Sequence, residues 1–366
     1  MYGLKQAPRA WYSRIDTYLL EDGFNKCPHE HTLYVKLKDN GDILILCLYV
    51  DDLIFTGNSE NMFIEFKEAM KQNFEMTDLG LMSYFLGIEV HQDKEGIFVS
   101  QQKYATDILK KFKMDTTAPI RTPVGEKVAM KKEGSGELVN PTFFKSIVGS
   151  LRYLTSTKTD IVYGVGLISR YMEKPYQSHL QAAKRILRYV NGTRNHGIMY
   201  SPRKKYDLVG YTDSDWAGDV ETRKSTSGYV FYLGNGIISW SSKKQPVVAL
   251  STAEAEYIAA AQASCQAVWL RRMLEDLDHH QSLPTIIMCD NKSAMALAKN
   301  PVFHGRSKHI DLRYHYIRDL VKKNEIELQF CKSEEQVADI FTKPLKAELF
   351  EKFKAMLGIA SPVNDN

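Results

Sequence analysis

Asp207-Leu-Val-Gly-Tyr-Thr-Asp213 is an apolar run that stops on a carboxylate, and the elements that follow it decide the fold. Gly228–Leu233 and Gly236–Ser242 read as two more strands. A long helical pattern from Thr252 to about Leu277 comes next, then a strand at Thr285–Cys289 and a short helix at Asn291–Ala298. A helix at Leu312–Lys323, a strand at Glu325–Cys331 and a last helix at Glu334–Phe341 complete the series. Three antiparallel strands followed by alternating helix and strand predict one mixed five-stranded sheet flanked by helices, an α/β (α+β) architecture.

The acids of this unit fall at matching places. Asp213 ends the first strand, Asp290 follows the fourth, and Glu256 lies in the first turns of a helix whose apolar face must pack on the sheet. Asp339 is set among Val337, Ala338, Ile340 and Phe341, an apolar neighbourhood for a charge. One such Asp is most often a cap or a surface charge, and Asp290-Asn291 could simply start a helix. Four at matching element ends point elsewhere, because buried carboxylates need a compensating cation. Hard oxygen ligands without Cys or His partners suit Mg²⁺ rather than zinc. Two such ions about 4 Å apart would activate a water and stabilise the leaving oxygen of a phosphodiester cleavage.

Upstream, the spacing of Trp11, Ile15, Tyr18 and Leu19 predicts a helix from Pro8 to Phe24. Strands at His31–Lys38 and Asp42–Val50 flank a turn at Asp39-Asn-Gly41, and Asp51-Asp52 stand at the tip of a second hairpin that resumes at Leu53–Thr56. Asn58 or Ser59 can cap a helix running to about Phe74. A hairpin at Tyr84–His91 and Gly96–Ser100 and a helix at Lys103–Met114 follow. Thr116–Pro141, with prolines at 119, 123 and 141, reads as a long loop, and Pro141–Asn191 as about three helical segments. The expected divisions are 1–115, 116–205, 206–345 and a tail at 346–366.

Composition sets the class. Of 366 residues 44% are hydrophobic and 25% charged, which places the chain with folded domains rather than disordered ones. Apolar runs such as Ile43–Val50 and Ile161–Ile168 fall far short of the roughly 20 residues a membrane span needs. The first residues lack an apolar signal core, and five Cys without a Cys-x-x-Cys pair suit a reducing, intracellular location, with cytoplasm and nucleus both open. A net charge of +4 is too mild to argue for nucleic acid by itself. Basic clusters at Lys103, Lys110, Lys111 and Lys113, at Arg185, Arg188 and Arg194, and at Arg203-Lys-Lys205 read first as solvated faces.

Several motifs together resemble a known family. Tyr211-Thr-Asp-Ser-Asp-Trp-Ala-Gly-Asp219, Ser225-Thr-Ser-Gly-Tyr229, Leu250-Ser-Thr-Ala-Glu-Ala-Glu-Tyr257, Cys289-Asp-Asn-Lys-Ser293, Lys308-His-Ile-Asp-Leu-Arg-Tyr-His315 and Gln336-Val-Ala-Asp-Ile-Phe-Thr-Lys343 resemble the ribonuclease H domain of copia-type retrotransposon Pol polyproteins. The resemblance implies a ribonuclease-H-like fold that cuts the RNA strand of an RNA–DNA hybrid with Mg²⁺, two ions at the site and Mn²⁺ as the alternative. The acidic, metal-binding roles would fall on Asp213, Glu256, Asp290 and Asp339, with Asp215 close enough to leave the first ligand open. His309 and His315 take no assigned role, and where many ribonucleases H carry a mobile His this chain reads Phe330-Cys-Lys-Ser333.

Tyr49-Val-Asp-Asp52 alone could be an ordinary turn. With Tyr2-Gly-Leu-Lys-Gln-Ala-Pro-Arg-Ala-Trp-Tyr12 upstream and Tyr84-Phe-Leu-Gly-Ile-Glu-Val90 downstream it resembles copia-type reverse transcriptase. That resemblance implies a polymerase palm in which Asp51 binds metal with Asp52 beside it, and in which Gln6, Arg9 and Tyr49 contact nucleic acid or nucleotide. Leu86 and Gly87 would lie in a primer grip, and the helices after the loop would connect polymerase to nuclease. In the family a further metal-binding Asp lies upstream of the motif at which this sequence begins, so the palm is expected to be truncated, poorly soluble and inactive in synthesis alone. The expected partners are an RNA–DNA hybrid and the remaining polyprotein segments in trans, with no membrane. The competing expectation is a non-catalytic remnant that only binds nucleic acid.

Overall fold

The structure, a computed structural model, describes residues 6–126, 130–202, 205–299 and 311–362. His309, the start of the Tyr2 motif, and Arg203 and Lys204 of the last basic cluster lie outside the described residues. Packing divides the chain into two compact units, Met1–Met82 with Val268–Ser282, and Ser83–Ala267 with Leu283–Asn366.

The first unit opens with α1 (Ala7–Glu21), whose proline stands in the first turn, where no N–H is needed. β1 (Asn25–Lys26), β2 (Leu33–Leu37), β3 (Ile43–Tyr49) and β4 (Asp52–Gly57) form an antiparallel sheet in sequence order, and α2 (Glu60–Asn73) follows. Its core joins Ile15 and Leu19 to Tyr34, Leu44, Leu46, Met62, Phe66 and Phe74. Neither candidate cap serves α2 with its side chain. The Ser59 hydroxyl donates to Asp42 at 2.8 Å, and the Asn58 amide takes Ile43 N–H at 2.8 Å, so both tie the helix start to the preceding hairpin.

The second unit carries two sheets. β5 (Tyr84–Phe85), β6 (Ile88–Gln92) and β7 (Ile97–Ser100) form an antiparallel meander, followed by α3 (Gln102–Lys111), α4 (Pro141–Leu154), α5 (Val162–Ser169) and α6 (Gln177–Gly192). The strand expected across Tyr84–His91 is broken because the chain turns at Leu86-Gly87, both at positive φ. β8 (Gly197–Tyr200) then extends the meander. Lys158, fully buried, donates to the Thr193 and His196 carbonyls beyond the end of α6, and burial pushes its ammonium down to about 8.

The remaining sheet uses β9 (Leu208–Ser214), β10 (Thr226–Leu233) and β11 (Gly236–Lys244) as an antiparallel set. After α7 (Thr252–Asp276) come β12 (Thr285–Cys289), α8 (Lys292–Lys299), α9 (Asp311–Lys322) and β13 (Ile326–Phe330). The order β11-β10-β9-β12-β13, with β9, β12 and β13 parallel, is the mixed five-stranded arrangement the sequence predicts. The expected last helix is instead two 3-10 turns, Ser333–Glu335 and Val337–Phe341. The stretch after residue 345, set apart as a tail, folds as α10 (Ala347–Met356) and β14 (Ile359–Ala360), the latter paired with β8. One hydrophobic core runs from Ile108, Leu151 and Leu187 to Val230, Phe341 and Phe353, so the helices, the last turn and α10 are held together by burial.

Candidate active site

β9 is the central strand, and β12 lies parallel to it. Asp213 near the end of β9 and Asp290 just past β12 therefore emerge at the same edge of the sheet. The third acid arrives by a close approach. Gly228 on β10 pairs with Asp213 on β9, and a Cβ there would stand 2.7 Å from Phe341 Cβ and 2.8 Å from Thr342 Cγ2. The missing side chain lets the final 3-10 turn lie on the strand and brings Asp339 to the other two. Carboxylate oxygens of Asp213, Asp290 and Asp339 all lie within 4.8 Å of one another.

Glu256, on the second turn of α7, completes the set. Asp213, Asp339 and Glu256 are 1%, 3% and 6% exposed, so three carboxylates share a nearly dry space. Burial, with the charges of Asp213 and Asp290, holds Glu256 well above its ordinary value. Burial and Asp213 push Asp339 up to about 8 against the pull of Lys343. Proton uptake is one way to relieve such crowding, and a bound cation is the other. Glu256 Oε2 is buried without a hydrogen-bond partner, and the donor set is all oxygen. Both features fit a hard divalent ion held by these residues.

Two buried amides fix the frame. Gln245 Nε2 donates to Ser214 Oγ at 3.1 Å, Ser227 Oγ at 2.9 Å and the Ala255 carbonyl at 2.9 Å, tying two strand ends to the residue before Glu256. Gln336 Nε2 donates to the Thr212 carbonyl at 2.9 Å while its oxygen accepts from Ala338 N–H, anchoring the turn that carries Asp339 to the residue before Asp213. The Thr342 hydroxyl donates to Asp213 Oδ2, and Ser333 Oγ donates to Asp290 Oδ2 at 2.8 Å. Sequence reasoning missed all four residues. Gln336 and Thr342 stand inside the Gln336–Lys343 motif, but polar side chains carry no signal of which backbone they will meet.

Asp215 does not join the three-acid cluster. Its carboxylate accepts from Thr226 N–H, and burial first, then Asp213, push it up to about 6. The geometry thus separates Asp213 from Asp215.

The other expected site is built differently. Asp51 and Asp52 are exposed at the β3–β4 turn, where Trp11 Nε1 donates to the Val50 carbonyl at 2.7 Å and Val50 has φ +55°. Tyr49 is half exposed, and Gln6 and Arg9 are exposed around the start of α1. Among the described residues, no group of three potential ligands includes Asp51 or Asp52. Leu86-Gly87 forms a tight turn whose Leu86 carbonyl accepts from Tyr153 OH. His315 is exposed on α9. A mixed group, Cys27, His29 and Asp276, meets within the first unit, with Cys27 Sγ and His29 Nδ1 both on Asp276 Oδ2.

Residues 1–126 match the family described as reverse transcriptase (RNA-dependent DNA polymerase). Over 98% of its length the chain is 41% identical to the retrovirus-related Pol polyprotein from transposon RE1 of Arabidopsis thaliana, of which it covers 24%. It is 35% identical, over 72% of its length, to a putative transposon Ty5-1 protein of Saccharomyces cerevisiae, of which it covers 86%. The chain thus spans about a quarter of the length of the polyprotein relative. Among solved structures, the foamy viral protease-reverse transcriptase in complex with dsDNA superposes with a TM-score of 0.52 at 13% identity, over 91% of this chain and 60% of that one. At that identity the likeness is one of fold.

Proposed function

We propose, from the premise that the chain belongs to the family of copia-type retrotransposon Pol polyproteins, that it is a ribonuclease H that hydrolyses the RNA strand of an RNA–DNA hybrid. The observation that carries this reading is the convergence of Asp213, Asp290 and Asp339 at one edge of a mixed sheet, with buried Glu256 beside Asp213 and within reach of the charge of Asp290.

In this reading the four carboxylates hold two Mg²⁺ ions, with Mn²⁺ as a substitute. When bound, the ions supply an activated water and neutralise charge on the leaving oxygen. The remaining work belongs to the chain. Gln245 holds Glu256 and Gln336 holds Asp339 in register with Asp213, so the ligands are preorganised rather than gathered at each turnover. Ser333 keeps one Asp290 oxygen occupied and leaves the other for a ligand. Hybrid recognition by such a site reads 2′-hydroxyls and phosphates across the minor groove, and it weakens as salt rises.

The palm-like region is proposed not to synthesise DNA as these 366 residues stand, because Asp51 and Asp52 are exposed and no third ligand joins them among the described residues. Synthesis would call for a further carboxylate beside this hairpin, which polyprotein segments outside these 366 residues would supply. Among the described residues no helix is long and apolar enough to cross a membrane.

The test is cleavage of a labelled RNA–DNA hybrid by the purified chain with Mg²⁺, beside Asp290→Asn and a metal-free control. Cutting by the wild type alone is expected. A folded wild-type chain that binds the hybrid without cutting it would replace this reading by that of a binding remnant.

A further inference from the structure

Lys343 follows the 3-10 turn that carries Asp339, and its ammonium reaches back into the acidic cluster. Nζ lies 2.8 Å from Asp339 Oδ1 and 3.6 Å from Asp213 Oδ2, so one cation touches carboxylates from two different elements. The turn is pinned on both sides. Thr342 Oγ1 donates to Asp213 and packs its methyl near Gly228, and Lys343 N–H donates to the Asp339 carbonyl at 3.2 Å. Among the described residues, no other Lys or Arg is ion-paired with any of the four acids.

An ordinary i,i+4 pair on a surface contributes little and disturbs nothing when removed. This pair differs because both carboxylates are almost fully buried while the Lys343 side chain is 37% exposed. Its stem enters from the rim and its charge ends inside. The oxygens it touches belong to two of the three acids whose spacing suits a divalent ion. An ammonium and a divalent cation at the same oxygens repel one another, so the two cannot be held there independently.

We propose that Lys343 is a positioning residue that serves as the resident counter-cation of the cluster and competes with the divalent ion for Asp213 and Asp339. The inference rests on the ribonuclease H reading. Ion entry displaces the ammonium toward the rim, which the flexible four-carbon stem allows. The lysine thereby keeps the carboxylates in place before metal arrives and weakens the grip on it afterwards, which favours exchange.

The test is binding of Mn²⁺ alone to the full chain, followed by the electron paramagnetic resonance signal of the free ion. Lys343→Met and Lys343→Gln are expected to bind Mn²⁺ about tenfold more tightly than wild type, equivalent to about 1.4 kcal/mol. Lys343→Arg, which keeps the charge, should stay within about threefold of wild type. The Mg²⁺ concentration for half-maximal hybrid cleavage should fall in the neutral variants in parallel. Equal or weaker Mn²⁺ binding by a folded neutral variant overturns the competition, and the Gln variant decides if the Met variant does not fold. Failure of the underlying reading looks different. Wild type and Asp290→Asn would then both bind no Mn²⁺, whereas a wild type that binds, is weakened by Asp290→Asn and is unmoved by Lys343→Gln sinks only the role of Lys343.

Discussion

Two sets of carboxylates in this chain have the same chemistry and opposite surroundings. Asp51 and Asp52 sit at the tip of a hairpin in water, whereas Asp213, Glu256 and Asp339 are enclosed beneath a turn that Gly228 allows to close. An exposed carboxylate is solvated at little cost. Three buried together call for relief by protons or by a cation, since each raises the cost of ionising the next. Burial rather than residue type therefore separates a crowded acidic cluster from a turn that is merely acidic.

The sharpest way to break this comparison is by substitution. Asp290→Asn should lower hybrid cleavage about a thousandfold, through loss of several kcal/mol of transition-state stabilisation. Asp51→Asn should change it by less than about twofold. An equal loss in both would mean that the hairpin takes part in the same reaction. Next in size is the response to metal. Saturating Mg²⁺ at about a hundredfold excess over its dissociation constant should stabilise the folded site by about 2.7 kcal/mol. Hydrogen exchange should show that gain in Thr226–Leu233 and not in Ile43–Tyr49. Protection gained equally in both strands would refute the contrast.

Gln245→Ala tests the frame. It leaves the Ala255 carbonyl and two hydroxyls without their donor, which should cost about 2 kcal/mol in urea unfolding and about tenfold in cleavage. Unchanged cleavage would show that α7 is placed by its apolar face alone. The smallest effect concerns His196, which burial, with Lys354 and Lys158, pulls down to about 4. Its folded pKa lies below the unfolded value near 6.5, so the unfolded chain binds the extra proton. The stability it contributes is complete above about pH 6.5 and is lost as the pH falls toward 4. The second unit of His196→Gln should lose less stability over that window than wild type, and identical slopes would remove His196 as the cause. Its ring is only partly buried, which keeps the effect modest.

Much of this was legible before any coordinates. The five strands of the mixed sheet follow from apolar runs bounded by turns, and the four acids are marked by their positions along those elements. Short elements were not. β8 and β14 hold four and two residues and gain their pairing only from each other and from β7. The final helix became 3-10 turns because Gln336 spends its side chain on Ala338 N–H and Thr212, which favours i→i+3 closure at Asp339 N–H. Lys343 closes the Gln336–Lys343 motif with no sequence signal of its place, since a lysine after a helix ordinarily points to solvent.

Sequence alone determined the succession of strands and helices from residue 207 to 331, the family to which the motifs belong and which acids stand near element ends, because these depend on local pattern and spacing. Only the tertiary structure decided that Asp213 rather than Asp215 joins Asp290 and Asp339, and that Lys343 lies among them. Side chains distant in sequence acquire a shared charge balance only when packing removes the water between them.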